Sequence, residues 1–360
     1  MAEREIAAEG RWWSGRRSVS VTDWETLPGS RSSDLGKHQL AKELVIESLP
    51  RDAQRLVQSL APYEHLLVAL SGGVDSSLVA AAAARVEPRR LVAVTADSPS
   101  VPRWQLQIAR RIADELGIEH QIVATKETDL SEYQRNDAKR CFYCKQTLYG
   151  VLHTWARQRF GPSAEPIRIA SGTNADDLGD YRPGIEAGRS SGVLTPLADL
   201  GFGKQRVRQL AKHFGLSNHA LPAAPCLASR IAYGTEVTPE RLRRIEQAEA
   251  LLRESGFTQV RVRVHAGDLA RIEVMRDEIS RLCELDREGK LSQSLRAIGF
   301  PFVTVDLEGF QSGSMNRGLV SIGLPSTDRS STDRPGVDQP APRPSGAAGS
   351  GASQSKEALP

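Results

Sequence analysis

The sequence predicts a doubly wound α/β fold with a mostly parallel sheet, followed by a smaller α+β domain. Between about residues 40 and 220, short apolar runs alternate with helical segments, as in a parallel sheet covered by helices on both faces. A glycine-rich loop lies between the first apolar run and an alanine-rich helix. After about residue 235 a helix precedes residues of strand periodicity. We therefore predict domains at 40–220 and 221–320.

The first predicted domain begins with a buried strand at Leu66–Leu70, a continuous apolar run that ends before Gly72 and Gly73. The alanine-rich segment Leu78–Arg85 has high helix propensity. Four-residue apolar spacing then indicates an amphipathic helix that ends at Gly117. Further strands are predicted at 91–96, 120–124 and 167–171, and further helices near 144–159 and 205–214.

The second predicted domain begins with a helix at Pro239–Ser255, for which Thr238 is the candidate N-cap. Valines then alternate with Arg261 and Arg263, which is the periodicity of a strand. A turn at 265–268 leads into a return strand at 269–274. A helix near 277–288 and a strand at 302–307 complete this domain.

Both ends of the chain are expected to lie outside these domains. Residues 1–39 are polar without a hydrophobic period, and we predict that they are poorly ordered. From Pro325 to Pro360 the only aliphatic residues larger than alanine are Val337 and Leu359. Such a stretch cannot bury enough apolar surface to offset the entropy of ordering, so 321–360 is predicted to be a disordered tail.

Composition excludes several classes of protein. The net charge is +3, from 47 basic and 44 acidic residues, which argues against an extended nucleic-acid-binding surface. No apolar run approaches the roughly 20 residues of a membrane helix, and the N-terminus lacks the apolar core of a secretory signal. Four cysteines do not form a disulfide scaffold. We therefore expect a cytoplasmic protein with neither a membrane nor a nucleic acid as partner.

The glycine-rich loop is suited to binding phosphate. Its glycines allow backbone N–H groups to approach an anion, and the following helix N-terminus adds a positive dipole. Hydroxyl groups can donate further hydrogen bonds. The loop has no lysine at the Walker position, so it is not a Walker loop. Its residues are Ser71, Gly72, Gly73, Val74, Asp75, Ser76 and Ser77.

A second polar segment follows the predicted strand at 167–171. Asp176 and Asp177 would lie at the same sheet edge as the phosphate loop, because parallel strands end together. Carboxylates together with phosphate oxygens are preferred ligands of Mg²⁺. The alternative is that these aspartates cap a helix, a role that does not exclude metal binding.

The cysteines allow several chemistries. Cys141 and Cys144 form a CxxC motif, and Cys226 lies far along the chain. Structural zinc usually requires four ligands, and no fourth has suitable spacing. A redox pair is possible, and so is a three-cysteine [4Fe–4S] cluster with one open iron. Cys283 is expected to be buried on the apolar side of its helix.

Six motifs together resemble the LarE family over roughly residues 40–319. They are SGGVDSS, RCFYCK, SGTNADDLGDYRPG, PAAPCLASRIAYGTEVT, VRVRVHAGDLARIEV and DLEGFQSGSMN. The first also matches the PP-loop of the N-type ATP pyrophosphatases, which implies an adenine nucleotide α-hydrolase-like fold. The resemblance implies an ATP-dependent sulfur transferase of nickel-pincer nucleotide synthesis. Its substrate would be a pyridinium dicarboxylate mononucleotide, whose carboxylates are adenylated and then converted to thiocarboxylates.

The resemblance also assigns roles to residues. Asp97 would lie beside the nucleotide, and Lys204 would contact pyrophosphate. Cys141, Cys144 and Cys226 match the branch of the family that carries a [4Fe–4S] cluster, which would deliver an added sulfide. In another branch the cysteine that matches Cys226 is consumed. The cluster would require a sulfur donor to reload it, and the family also suggests a homo-oligomer.

Two arginines are predicted to bind the substrate phosphate or carboxylate. Arg261 and Arg263 are two residues apart on one strand, so both face the same side. Ser229 and Arg230 follow Cys226 closely, and we expect them to lie near its sulfur and to bind the substrate as well. The alternative for the two strand arginines is a solvated strand face, and for Ser229 and Arg230 it is a structural role. No site is assigned to Glu273.

Two other functions compete with this interpretation. A tRNA thiolase also combines a PP-loop with CxxC and a third cysteine, but this sequence contains no aromatic and basic RNA-binding module. A non-catalytic nucleotide- or zinc-binding regulator would release no pyrophosphate. Binding of RNA would favour the first alternative, and failure to form AMP would favour the second.

Overall fold

The computed structural model describes residues 50–161, 167–179, 182–311 and 314–315. The extension predicted at 1–39 and the tail predicted at 321–360 lie outside the described residues. The described residues belong to a single compact unit. No helix among them is long and apolar enough to cross a membrane.

The larger sheet confirms the predicted parallel architecture. Among the described residues it has four parallel strands, in the order β3-β2-β1-β4. Because the order reverses between β1 and β4, their carboxyl ends flank a crevice of the kind in which doubly wound sheets bind ligands. The strands are β1 (His65–Ala69), β2 (Arg90–Asp97), β3 (Glu119–Ala124) and β4 (Arg168–Ala170).

Helices cover both faces of this sheet. Leu66 of β1 belongs to a core that includes side chains of α1, α2, α3 and α8, whereas its neighbour Leu67 belongs to a second core with α5. The alternation of strand side chains thus divides one apolar run between two cores. The helices are α1 (Arg51–Leu60), α2 (Val74–Val86), α3 (Arg103–Leu116), α4 (Ser131–Gln134), α5 (Arg140–Phe160), α6 (Pro183–Ser190), α7 (Pro196–Asp199) and α8 (Lys204–His213).

A smaller sheet follows, with its own core. Its described strands have the order β5-β6-β7, with β6 antiparallel to β5 and parallel to β7. The Thr238 hydroxyl accepts a hydrogen bond from the Arg241 N–H at 3.2 Å, which confirms the predicted N-cap. The elements are α9 (Pro239–Glu254), β5 (Arg261–Val264), β6 (Ala270–Glu273), α10 (Ile279–Leu285), α11 (Lys290–Ile298) and β7 (Val303–Val305).

Two predictions about cysteines differ from the structure. Helix α5 begins at Arg140 rather than near residue 144, so Cys141 and Cys144 both lie within its first five residues. Cys283 is exposed rather than buried, which makes that prediction wrong. On the short helix α10 the buried residue is Leu282, and Cys283 is rotated away from the core by about 100°.

Candidate active site

The phosphate loop joins β1 to α2 at the crevice edge of the sheet. The Ser71 and Ser76 hydroxyls lie 3.1 Å apart, and the Ser76 and Ser77 hydroxyls donate to the Gly73 carbonyl at 3.1 and 2.9 Å. These bonds fold the loop around the start of α2, whose first N–H groups have no partner within the helix. The loop therefore presents a helix N-terminus to the crevice, as an anion site requires.

Two glycines allow close backbone contacts around this loop. Gly72 has φ +78°, and a Cβ atom there would lie 2.6 Å from the Gln105 carbonyl oxygen of α3. A Cβ atom on Gly172, which follows β4, would lie 2.4 Å from the Ser76 nitrogen. The segments after β1 and β4 thus meet through backbone atoms, and no side chain fits between them.

Asp75 lies in an acidic environment in this crevice. Its Oδ1 accepts a hydrogen bond of 3.0 Å from the Asn174 side chain. Burial raises the pKa of Asp75 and the charge of Asp177 adds to this, whereas the Asn174 bond and Lys204 act in the opposite direction. Asp177 also pairs with Arg182 at 2.7 Å, and its Oδ1 lies 4.0 Å from the Lys204 ammonium. Two neighbouring carboxylates with few cations around Asp75 can accommodate a further cation.

Asp176 caps a helix, which was the alternative to metal binding in the sequence analysis. Its Oδ2 accepts a hydrogen bond of 2.8 Å from the Lys204 N–H at the start of α8. It therefore caps a helix distant in sequence, and a Cβ atom on Gly203 would lie 2.6 Å from its Oδ1. The structure thus brings Asp176, Asp177 and Lys204 together with the phosphate loop.

Two asparagines in this crevice were not predicted. The Asn174 Oδ1 accepts from the Asp176 N–H at 3.0 Å, so the same side chain orders the acidic turn and contacts Asp75. The Asn218 amide donates to the Gly72 carbonyl at 3.0 Å and to the Ser77 hydroxyl at 2.9 Å. Asn174 lies within a motif visible in the sequence, whereas nothing in the sequence around Asn218 indicated this contact.

Asp97 lies at the end of β2, as predicted, but pairs with a protein cation. Its Oδ1 lies 2.6 Å from the exposed Arg103 guanidinium. The same guanidinium donates to the Ser98 carbonyl at 2.6 Å, and the Arg103 N–H donates to Glu246 at 2.6 Å. This pair links the sheet edge to α9.

Cys141, Cys144 and Cys226 are free, and Cys144 and Cys226 both pack against the core of the smaller sheet. Cys141 is exposed, and Cys144 and Cys226 are half-buried. Burial raises the pKa of the Cys144 thiol to about 12, and the charges of Cys226 and Cys141 contribute to the increase. The sulfur atoms therefore lie within electrostatic range of one another. Within the described ranges, no three His, Cys, Asp or Glu side chains are grouped so that they could hold a metal ion.

The Cys226 segment packs against the nucleotide half of the protein. The Leu227 N–H donates to the Ser100 carbonyl at 2.8 Å, and the Gln105 side chain donates to the Ala224 carbonyl at 2.9 Å. Gln105 is the α3 residue whose carbonyl lies against Gly72. A short path of contacts thus connects the phosphate loop with the segment that carries Cys226.

Arg230 is enclosed by its own chain. Only 1% of this residue is exposed, and its guanidinium donates to the Pro225 and Cys226 carbonyls at 2.5 and 3.0 Å. Its other face donates to the buried Glu249 carboxylate at 2.9 and 3.3 Å. These contacts orient the Cys226 segment. The Ser229 hydroxyl also donates to the Cys226 carbonyl, at 2.7 Å.

The two strand arginines face the same side, but they differ in their partners. Arg263 is buried and donates to the Glu273 carboxylate at 3.0 and 2.8 Å. Arg261 is half-buried, lies over the Phe310 ring at 5.1 Å, and donates to two backbone carbonyls. Burial lowers the pKa of Arg261 to about 10, and the neighbouring charge of Arg230 adds to this effect. Arg261 is thus a partly desolvated cation beside other arginines, which favours an anion as ligand.

Comparison with known proteins agrees with this geometry. Residues 58–144 match the family model described as asparagine synthase. An uncharacterised protein of Synechocystis sp. is 41% identical over 266 residues, which cover 74% of this chain and 97% of that protein. An uncharacterised Methanocaldococcus jannaschii protein is 26% identical and covers 69% of this chain and 91% of its own.

A relative with a named activity covers the same region. The pyridinium-3,5-bisthiocarboxylic acid mononucleotide synthase of Lactiplantibacillus plantarum is 34% identical over 262 residues. The alignment covers 72% of this chain and 92% of that enzyme. With the PP-loop at the sheet crevice and the cysteine-bearing segments beside it, this chain belongs to the LarE family of ATP-dependent sulfur transferases.

Proposed function

We propose that this enzyme adenylates the carboxylates of a pyridinium dicarboxylate mononucleotide and replaces one oxygen of each with sulfur. A carboxylate oxygen attacks the α-phosphorus of ATP, the bond to the β-phosphate breaks, and pyrophosphate leaves. Sulfur then attacks the acyl carbon, and AMP leaves. The observation that carries this proposal is the contact path from the phosphate loop through Gln105 to the Cys226 segment.

The phosphate loop would bind the pyrophosphate portion of ATP. Helix α2 directs its N-terminus to this site, and Lys204 adds a positive charge near the second segment. Mg²⁺ would be held by Asp177 and Asp176 together with phosphate oxygens. The negative charge of Asp177 raises the pKa of Asp75, and a bound Mg²⁺ would relieve the repulsion between these two carboxylates. This is the observation that supports the ion at this position.

Cys141, Cys144 and Cys226 would hold the sulfur source. Three free thiols, with Arg140 and Lys145 beside them, match in number the three irons that a cluster would present to the protein. They are not grouped for metal binding among the described residues, so loading of a cluster would draw the CxxC motif and Cys226 together. A [4Fe–4S] cluster bound there would supply a sulfide from its open iron. The protein would orient it through Arg230, which binds the backbone of the Cys226 segment.

Arg261, Arg263 and Ser229 would face the mononucleotide. Arg261 has the stronger case for contacting its phosphate, because Arg263 already shares the Glu273 carboxylate. Arg263 and Ser229 are connected, since the Arg263 guanidinium donates to the Ser229 carbonyl at 3.2 Å. Arg230 would not contact the mononucleotide but would hold the Cys226 backbone in position through its hydrogen bonds to the Pro225 and Cys226 carbonyls.

The test combines two measurements on protein purified without oxygen. With ATP, Mg²⁺ and the dicarboxylated mononucleotide, the wild-type chain should form AMP, pyrophosphate and a thiocarboxylate detectable by mass spectrometry. Iron and acid-labile sulfide should each approach about four per chain and be lost in Cys141→Ala. Absence of AMP would overturn the proposed reaction. AMP without iron would instead indicate Cys226 as a consumed sulfur donor, seen as loss of H₂S from that residue.

A further inference from the structure

Asn136 and Arg140 are buried polar residues that lie just before the CxxC turn, which is the start of α5 that carries Cys141 and Cys144. Asn136 has no exposed surface and adopts φ +54°. Its side-chain amide donates to the Ile231, Ala232 and Thr235 carbonyls at 3.3, 2.8 and 2.9 Å. The backbone reinforces this contact, since the Gly234 N–H donates to the Asn136 carbonyl at 3.2 Å. Asn136 thus binds the chain that follows Cys226.

Arg140 connects the same two segments one helical turn later. It is 5% exposed, and its Nη1 donates to the Asn136 side-chain oxygen and, at 2.8 Å, to the Ala228 carbonyl. Its Nη2 lies 4.0 Å from the Cys141 sulfur. A single guanidinium therefore contacts the residue two positions after Cys226, the CxxC motif and the asparagine that binds the intervening loop.

The location of these contacts distinguishes them from general core packing. Burying a guanidinium is costly unless hydrogen bonds replace its hydration. The Arg140 guanidinium has such bonds, to the Asn136 side chain and the Ala228 carbonyl. Apart from each other and Cys141, the hydrogen-bond partners of the Asn136 and Arg140 side chains lie 88 to 99 positions away, in the segment that follows Cys226. Elsewhere on the first turn of α5, Gly184 of α6 packs against the Cys141 carbonyl.

We propose that Asn136 and Arg140 are positioning residues that set the distance between the CxxC turn and Cys226. The inference rests on the proposed function of these three thiols as the sulfur site. Without the Asn136–Arg140 pair, the Val237–Gln134 and Leu227–Ser100 backbone contacts would keep the two segments attached, but the distance between the thiols would vary more widely. Both side chains are buried among protein atoms, so the pair acts on the geometry of the thiols.

The distance can be measured by disulfide trapping, which does not require a cluster. In a Cys141→Ser, Cys283→Ser background, only Cys144 and Cys226 remain to react when diamide is added. The variants are Arg140→Met and Asn136→Gly, since glycine tolerates the positive φ at residue 136. Each should slow formation of the Cys144–Cys226 disulfide roughly tenfold, because the hydrogen bonds that it removes change the population of the close arrangement by about a factor of ten. Arg135→Met, which changes an exposed arginine, is the matched control.

Rates are measured on molecules retained by immobilised ATP, so unfolded chains do not contribute. Iron per chain is then measured in the same variants with all cysteines restored, and it should fall in both variants but not in the control. An unchanged trapping rate in Arg140→Met and Asn136→Gly would overturn the positioning role. If trapping slows while the wild-type chain binds no iron, the positioning role stands and the cluster proposal fails.

Discussion

Desolvation opposes ionisation of both the half-buried Asp75 and the buried Glu249, yet their pKa values shift in opposite directions. Burial raises the pKa of Asp75, whose neighbours are an amide and a second acid. Burial also disfavours the charged form of Glu249, but the charges and hydrogen bonds of Arg230 outweigh it with help from Arg261 and Arg253, and the pKa falls. The charge of Glu249 is therefore fully compensated by the arginines of a structural ion-pair network. Asp75 is a carboxylate whose charge lacks sufficient compensation within the protein.

This difference predicts that Asp75→Asn stabilises the nucleotide-free protein while it abolishes AMP formation. Asparagine removes the desolvated charge and the repulsion from Asp177, and its oxygen can still accept from Asn174. At neutral pH the Tm without nucleotide should rise, because the raised pKa of Asp75 means that ionisation opposes folding there. AMP formation, followed by chromatography, should fall about 100-fold, because the variant lacks the carboxylate charge that would help to hold the cation bound with ATP. A lower Tm, or AMP formation at the wild-type rate, would contradict this interpretation.

Glu249→Gln should have the opposite effect on stability. Removing the carboxylate leaves Arg230 buried without its partner, which costs about 3–5 kcal/mol in the free energy of unfolding. A lowered folded-state pKa contributes stability above the unfolded-state value, and this contribution is lost as pH falls through the folded-state value. Urea titrations of wild type and variant should therefore converge toward acid pH. Glu254→Gln, on the exposed side of the same helix, is the control and should leave the free energy of unfolding nearly unchanged.

At the scale of elements, the crevice depends on close contact between the segments after β1 and β4. Gly172→Ala should weaken ATP binding and lower the free energy of unfolding by about 1–3 kcal/mol. The added Cβ atom would overlap the Ser76 nitrogen, and because that is a backbone atom it cannot move aside as a side chain could. Gly150→Ala is a matched control, since no atom lies within 4 Å of its Cβ position and alanine favours a helix interior. Equal ATP affinity in both variants, measured by calorimetry, would argue against a steric role for Gly172.

The sequence predicted those elements that depend on local pattern. The strand before the phosphate loop, the following helix and the Thr238 cap all form where apolar runs, alanines and a capping residue indicate them. It did not predict contacts between residues distant along the chain, such as Asn218 with Gly72. Asn136 and Arg140 were missed for the same reason, since their partners lie 88 or more residues away. Cys283 was misplaced because apolar spacing on a two-turn helix does not define which side faces the core.

At the scale of the whole molecule, the two sheets are connected by buried contacts and not only by the chain. Tyr133 of α4, which precedes the CxxC turn, lies in the core of the smaller sheet. Its hydroxyl lies 2.6 Å from the Ser100 hydroxyl, at the end of β2. Since the Leu227 N–H binds the Ser100 carbonyl, one short loop joins the nucleotide crevice to both the smaller core and the Cys226 segment. The proposed ATP site and the proposed sulfur site are therefore held by the same buried contacts.

These contacts predict that the two sheets unfold in one transition. Trp155 packs against the core of the larger sheet, whereas the Trp104 ring lies beside Arg253 of α9. In a variant with Trp12, Trp13, Trp24 and Trp104 changed to phenylalanine, fluorescence therefore reports on the larger part through Trp155 and circular dichroism on both. The thermal transitions seen by the two methods should coincide, and ATP should shift them together by mass action. A second transition visible only by circular dichroism would mean that the smaller sheet unfolds independently. In that case the Ser100, Tyr133 and Leu227 contacts would be too weak to couple ATP binding to the position of Cys226.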